Sequence, residues 1–136
     1  CYHRPRLPGP ELVHLSPPAI HERVKRLRRD GIIMGTVARL DGERIGCPLL
    51  TFVHVTPEGW GMTKPILDLK ALADIEEIHT VAGDTSLILK VRCASPASLE
   101  KLLTHIQEIE GVRSIQSYVA LGTYLERGPI PELPEP

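Results

Sequence analysis

The stretch from Ile75 to Cys93 repeats with a period of two on both sides of a Gly-Asp pair. That period is the one a β-strand requires, because successive side chains point to opposite faces. Three aliphatic residues share one face after the pair: Leu87, Leu89 and Val91. Glycine tolerates positive φ and aspartate can bond its own backbone, so Gly83-Asp84 suits a tight turn. The stretch predicts two strands joined by a tight turn.

This turn has two interpretations. The first is a plain hairpin turn, which the backbone chemistry alone favours. The second is a binding loop, in which the Asp84 carboxylate, flanked by the hydroxyls of Thr85 and Ser86, holds the ammonium group of a small ligand. Exposed N–H groups from Gly83 to Ser86 would then receive a carboxylate.

The segments around the hairpin follow the order strand, helix, strand, strand, helix, strand. A β-rich apolar run predicts a strand over 48–56, and helical spacing predicts a helix over 62–72. A second helix is predicted from the cap residue Ser95 to Gly111, with an apolar stripe of Leu99, Leu102, Leu103, Ile106 and Ile109. Alternation then predicts a long last strand over 112–125. This order predicts an α+β fold with a ferredoxin-like βαββαβ domain.

We also expect the face of this sheet away from the helices to be rich in apolar residues. A partner should then cover it, so the sequence predicts a dimeric α/β sandwich or a larger homo-oligomer.

A separate helix is predicted near the start of the chain. Ser16 can cap it, Pro17 suits its first position, and Gly31 is a natural stop after Arg29. Its surface is cationic: Arg23, Lys25, Arg26, Arg28 and Arg29. Such a face is either simply solvated or lies along a phosphate backbone, with the N-terminal residues near base edges.

Composition excludes several classes of protein. The chain of 136 residues carries 16 Lys and Arg against 17 Asp and Glu, so its net charge alone does not indicate nucleic acid. Three widely spaced cysteines imply no disulfide framework, and the six histidines show no zinc spacing. No apolar run has the roughly 20 residues that cross a membrane. We expect a cytoplasmic protein without metal, cofactor or catalytic residues.

Residues 15–27 and 30–35 carry a Leu-Ser start, an Arg-Val-x-x-Leu core and a Gly-Ile-Ile exit. This pattern resembles the recognition helix of the leucine-responsive/asparagine-operon regulator (Lrp/AsnC) family. Residues 81–91 resemble the effector segment of the same family, although Thr85 replaces its usual aromatic residue and Ser86 its second aspartate. The resemblance implies a helix-turn-helix reader of double-stranded DNA joined to a ferredoxin-like domain that binds an effector.

The resemblance assigns two sets of site residues. The DNA-binding set is Ser16, Pro17, Pro18, His21, Arg23, Lys25 and Arg26. The effector-binding set is Gly83, Asp84, Thr85 and Ser86. The domains expected are an incomplete helix-turn-helix over 1–35, a linker strand over 36–46, an effector and oligomerisation domain over 47–127, and an extended tail over 128–136.

The proline-rich start over 1–10 cannot form the first helix that the family places upstream, and only 11–14 remain for the second. Since a lone helix of this length is marginal without packing partners, we expect weak DNA binding from the chain as given. The leading hypothesis is a transcriptional regulator that senses an amino acid or related metabolite. The alternative is an oligomeric amino-acid-binding module that no longer reads DNA.

Overall fold

The computed structural model describes residues 16–59 and 61–131. The predictions for the proline-rich start, for 11–14 and for the end of the tail lie outside these residues. Seven elements follow in chain order: α1 Pro17–Arg29, β1 Leu49–Pro57, α2 Thr63–Lys70, β2 Ile75–Thr80, β3 Leu87–Cys93, α3 Pro96–Glu108 and β4 Val112–Val119.

The packing of the backbone divides the chain into two units. One is Leu40–Tyr124, which holds the four strands with α2 and α3; the other holds α1 and consists of the chain up to Arg39 and from Leu125 onward. The domain boundaries expected at 35, 46 and 127 stay predictions.

The four strands form one antiparallel sheet in the order β2-β3-β1-β4. Val53 at the centre of β1 lies opposite Leu89 of β3 on one side and Ser117 of β4 on the other. This strand order with this sequence of elements is the ferredoxin-like arrangement, so the predicted α+β fold is confirmed.

Both predicted serine caps are present. Ser16 Oγ accepts a hydrogen bond from the Ala19 N–H at 3.4 Å, and Ser95 Oγ accepts one from the Ser98 N–H at 3.1 Å. A proline follows each cap in the first turn, where its missing N–H costs nothing. Local sequence therefore determines where α1 and α3 begin.

The core lies between one face of the sheet and the two helices of the same unit. β3 alternates as predicted, with Leu87, Leu89 and Val91 fully buried. The remaining core is mostly aliphatic: Val53, Val55, Leu69, Cys93, Leu99, Leu102, Ile106, Ile109 and Val112.

β2 departs from the regular alternation. Its register with β3 passes from Ile75 opposite Val91 to Glu77 opposite Lys90, so Glu76 is an extra, unpaired residue. This β-bulge lets Ile75 and Ile78, three positions apart, both pack against the core. A strict period of two does not describe this strand.

β4 ends at Val119, and the prediction that it extends to Leu125 is wrong. The Ala120 N–H donates to the Leu50 carbonyl at 2.9 Å. Because β1 begins at Leu49, it offers no backbone for residues beyond Ala120 to pair with. Leu121 and Tyr124, which the alternation places in the strand, are fully exposed.

The linker strand expected over 36–46 stays a prediction. Residues 36–40 form no strand within the described chain, and a strand needs a neighbouring backbone to pair with. The turn expected at Asp41-Gly42 is confirmed: Asp41 Oδ1 accepts from the Glu43 N–H at 3.0 Å, and the Gly42 carbonyl accepts from the Cys47 N–H at 2.7 Å.

The face of the sheet away from the helices, hereafter the open face, is less apolar than expected. Alternation and strand register place these residues on it: Leu50, Phe52, His54, Thr56, Glu77, His79, Ile88, Lys90, Arg92, Ser114, Gln116 and Tyr118. Only Leu50, Phe52 and Ile88 are purely apolar. The prediction of an apolar-rich open face is therefore wrong, because β2 and β4 contribute mainly polar side chains to it.

Within the described ranges, no helix is long and apolar enough to span a membrane. The same ranges contain no group of three or more His, Cys, Asp or Glu side chains arranged to hold a metal ion.

Candidate functional site

The connection between β2 and β3 is a six-residue loop, 81–86, and not the tight turn predicted at Gly83-Asp84. The Val81 N–H donates to the Ser86 carbonyl at 3.0 Å and closes the loop at its base. A two-residue hairpin turn needs φ near +60° at its first central residue, whereas Gly83 has φ +157°.

Thr85 fixes this loop to the centre of the sheet. Its hydroxyl donates to the Val55 carbonyl at 2.9 Å in a partly buried position. The donor capacity of Thr85 is therefore used within the protein, and the side chain positions the loop over β1.

An open cavity of about 720 Å³ lies between the loop and the open face. The loop contributes Val81, Ala82, Gly83, Asp84 and Thr85, and the strands contribute His54, Thr56, Ile88, Ser114, Gln116 and Tyr118. The volume is in the range of small-molecule sites, about 300–1,000 Å³. Three of the four predicted effector residues line this cavity, while Ser86 does not.

Sequence reasoning missed the wall that the strands form. The sequence alone assigns neither His54 nor Tyr118 to a site. The signal was present in the alternation of β1: because Val53 and Val55 face the core, His54 and Thr56 must share the opposite face. The neighbours from β4 required the strand order, which the sequence does not provide.

Contacts between side chains order this wall. The rings of His54 and Tyr118 lie 4.8 Å apart between centroids, tilted by 56°. The Tyr118 hydroxyl donates to Gln116 Oε1 at 3.3 Å. The carboxamide oxygen of Gln116 thus has a partner, while its two N–H donors have none among the described residues.

Asp84 is the only formally charged side chain among the residues that line the cavity. It is exposed at the rim, where a cationic group could reach it without the cost of deep burial. The arrangement thus offers one carboxylate, several neutral hydrogen-bonding groups and a small apolar patch from Val81, Ala82 and Ile88.

A network of ion pairs occupies the part of the open face beside the cavity. Arg92 Nε donates to Glu76 Oε1 at 2.7 Å, and Lys90 Nζ lies 3.3 Å from Glu77 Oε2. His79 Nε2 lies 2.8 Å from Glu77 Oε1. The His79 contact, with that of Lys90, outweighs partial burial and lowers the pKa of Glu77. The bulge at Glu76 makes this network possible, because it allows both glutamates to reach β3.

The predicted DNA-binding residues all lie on α1 or its cap, and all are exposed. Ser16 is the cap, Pro17 and Pro18 form the first turn, and the side chains of His21, Arg23, Lys25 and Arg26 are open to solvent. The Arg28 guanidinium donates to Thr36 Oγ1 at 3.0 Å. Cations at the C-terminal end of a helix interact favourably with its dipole, so the arginines in the last turn of α1 also stabilise the helix.

Fold and site together define a class: a ferredoxin-like domain with a candidate ligand cavity, preceded in the chain by a basic helix. Comparison with known proteins agrees. Residues 50–130 match the Lrp/AsnC ligand binding domain, and residues 11–34 match a winged helix-turn-helix DNA-binding domain. The chain belongs to the Lrp/AsnC family, and the predicted family membership is confirmed.

The similar proteins are transcriptional regulators. The leucine-responsive regulatory protein of Haemophilus influenzae is 38% identical over 115 residues, covering 80% of this chain and 68% of that protein. The regulator LrpA of Mycobacterium tuberculosis is 34% identical, covering 86% and 79%. A solved structure, the feast or famine regulatory protein of M. tuberculosis complexed with L-methionine, has a TM-score of 0.75 at 36% identity, covering 86% and 80%.

Proposed function

We propose that this chain is a cytoplasmic transcriptional regulator, not an enzyme, which binds double-stranded DNA through α1 and senses an amino acid in the cavity under the 81–86 loop. The observation that carries the proposal is the cavity itself, which combines the predicted loop residues with one uncompensated carboxylate, Asp84. The methionine bound by a relative of 36% identity supports an amino acid as the ligand class.

In this proposal Asp84 pairs with the α-ammonium group of the ligand. Backbone N–H groups of the loop, beginning at Gly83, receive the α-carboxylate. Thr85 holds the loop in position through its bond to the Val55 carbonyl. Ser86 acts only through its backbone, since its carbonyl closes the base of the loop.

The cavity is larger than one free amino acid and is open on one side. We propose that a second copy of the chain covers this opening, so the regulator works as a homodimer or larger homo-oligomer. The polar character of the open face does not prevent this, because the ion pairs of β2 and β3 are already matched within one subunit.

Asp84→Asn tests the ligand site. The substitution keeps the size of the side chain and removes the charge that would pair with the ammonium group. A hydrogen bond to a charged group contributes roughly 1.5–3 kcal/mol, so affinity for an amino acid should fall roughly 10- to 150-fold. Isothermal titration calorimetry with the twenty amino acids would measure this effect.

The matched control is Asp68→Asn, which removes an exposed carboxylate from α2. It should leave binding unchanged. Equal affinity in the Asp84 variant and the unmodified chain, or no heat with any amino acid, would contradict the ligand site.

The DNA role is tested by salt dependence. The chain as given is expected to bind duplex DNA weakly, and replacing Arg23, Lys25 and Arg26 together with alanine should weaken that binding further and flatten the dependence of log K on log salt. The slope is negative, and each lost phosphate contact reduces its magnitude by about 0.9. Fluorescence anisotropy with a labelled duplex from low to moderate salt would measure both quantities.

The control for this experiment removes three exposed cations from the other unit: Lys70, Lys101 and Arg113. It changes net charge equally, and the slope should stay at the wild-type value. If both triple variants flatten the slope to the same extent, net charge is responsible and α1 is not the DNA-binding element.

A further inference from the structure

The part of the cavity away from the loop differs in chemistry from the loop itself. Its side chains are His54, Thr56, Ser114, Gln116 and Tyr118, all of which have polar atoms able to form hydrogen bonds, with Ile88 as the apolar member. A ligand held at Asp84 by its ammonium group would direct its own side chain toward this wall. The wall, rather than the loop, is therefore where one amino acid can be distinguished from another.

The contacts within the wall determine which groups it offers. Tyr118 donates to the carboxamide oxygen of Gln116, so this contact does not use the Gln116 amide hydrogens. Tyr118 also packs against His54, which limits the orientations open to the imidazole. A ligand side chain that carries a carbonyl oxygen would accept from Gln116, and its own donors would meet the hydroxyls of Thr56 and Ser114.

The charge of the residues that line the cavity further restricts which ligand side chains fit the wall. No Lys or Arg is among the residues that line the cavity, so an acidic ligand side chain would gain no cation there. It would also lose its water once the proposed second copy of the chain covers the opening. An aliphatic or thioether side chain would cover the polar groups of the wall and leave them unpaired. A neutral side chain with both donors and acceptors avoids both costs.

We infer that the wall formed by His54, Gln116 and Tyr118 selects amino acids with a neutral, hydrogen-bonding side chain, and that a carboxamide fits it best. This inference rests on the proposed function, since it assumes that the ligand is an amino acid held by the 81–86 loop. Gln116 is its principal specificity-determining residue, and Tyr118 positions it.

The test compares L-glutamine and L-asparagine with L-leucine and L-methionine by calorimetry on the 136-residue chain. The carboxamide ligands should bind at least about tenfold more tightly. Gln116→Leu keeps most of the side-chain volume and removes the amide. It should weaken glutamine and asparagine by about tenfold, with leucine and methionine unchanged or tighter. Tyr118→Phe should produce a smaller change in the same direction.

Gln107→Leu is the matched control, because Gln107 is an exposed residue of the same type on α3. It should change none of the four affinities. If leucine or methionine binds as tightly as glutamine, or if Gln116→Leu weakens all four ligands equally, the specificity assignment is wrong while the ligand site stands. If none of the four binds, and the other amino acids also give no heat, the proposed function fails and this inference fails with it.

Discussion

The Leu89→Ala variant is expected to unfold with a free energy about 2–5 kcal/mol below that of the unmodified chain. Leu89 has no exposed surface and lies at the middle of β3, opposite Val53 of β1 and Ile78 of β2. Truncation removes a fully buried isobutyl group and leaves a cavity that its neighbours on two strands cannot easily fill. Domains are usually stable by only about 5–15 kcal/mol, so much of the stability would be lost.

Urea denaturation followed by circular dichroism would measure this change. Ile88→Ala is the matched control, because it truncates the adjacent aliphatic residue on the opposite face of the same strand. Ile88 is half-buried at the cavity, so its loss should cost about 1 kcal/mol. Ile88→Ala should instead alter ligand binding, while Leu89→Ala should not under conditions where it stays folded. Equal losses of stability from both variants would contradict the division of β3 into a core face and an open face.

The contrast between Leu89 and Ile88 also shows how far the sequence predicts this fold. Strict alternation and full burial coincide on β3, so the period of two identified its core face correctly. The helix starts were predictable for a similar reason, since a serine cap followed by proline acts within one turn. In both cases neighbours along the chain decide the structure.

Features that depend on neighbours in space could not be predicted in the same way. The bulge at Glu76 exists because Ile75 and Ile78 both have core positions to fill. β4 stops where β1 ceases to provide a partner, although its alternation continues to Leu125. The segment over 36–40 has strand-like residues but no backbone to pair with in the described chain. Each of these outcomes is set by pairing, which periodicity alone does not reveal.

The candidate site likewise contains some residues that local sequence predicts and others that only the strand order brings together. Gly83, Asp84 and Thr85 are adjacent in sequence, and a polar loop with one carboxylate was enough to indicate them. His54, Gln116 and Tyr118 come from two strands far apart in the chain, and only the order β3-β1-β4 brings them under that loop. The role of Thr85 as a ligand contact stays a prediction, and its hydroxyl, which donates to the Val55 carbonyl, could meet a ligand only as an acceptor.

Gly111→Ala is expected to be the second strongly destabilising substitution, for two separate reasons. Gly111 has φ +95°, a conformation that costs other residues about 1–3 kcal/mol. An added Cβ would also lie 2.9 Å from Cγ of Pro65, a buried residue of α2 whose ring cannot rotate away. Overpacking of this kind typically costs a further 1–3 kcal/mol, so the two effects together should lower the free energy of unfolding by about 2–6 kcal/mol.

Two further variants separate the effects. Gly59→Ala places a side chain at φ +65°, where no atom of the described residues other than its chain neighbours lies within 4 Å of the new Cβ, so it measures mainly backbone strain. Combining Gly111→Ala with Pro65→Ala removes the ring that the Cβ would meet. The double variant should recover about 1–3 kcal/mol relative to the sum of the two single losses. Strict additivity in urea denaturation would show that Pro65 does not contact position 111.

Since β4 begins at Val112 and carries Ser114, Gln116 and Tyr118, Gly111→Ala should also weaken ligand binding in the fraction that stays folded, whereas Gly59→Ala should not.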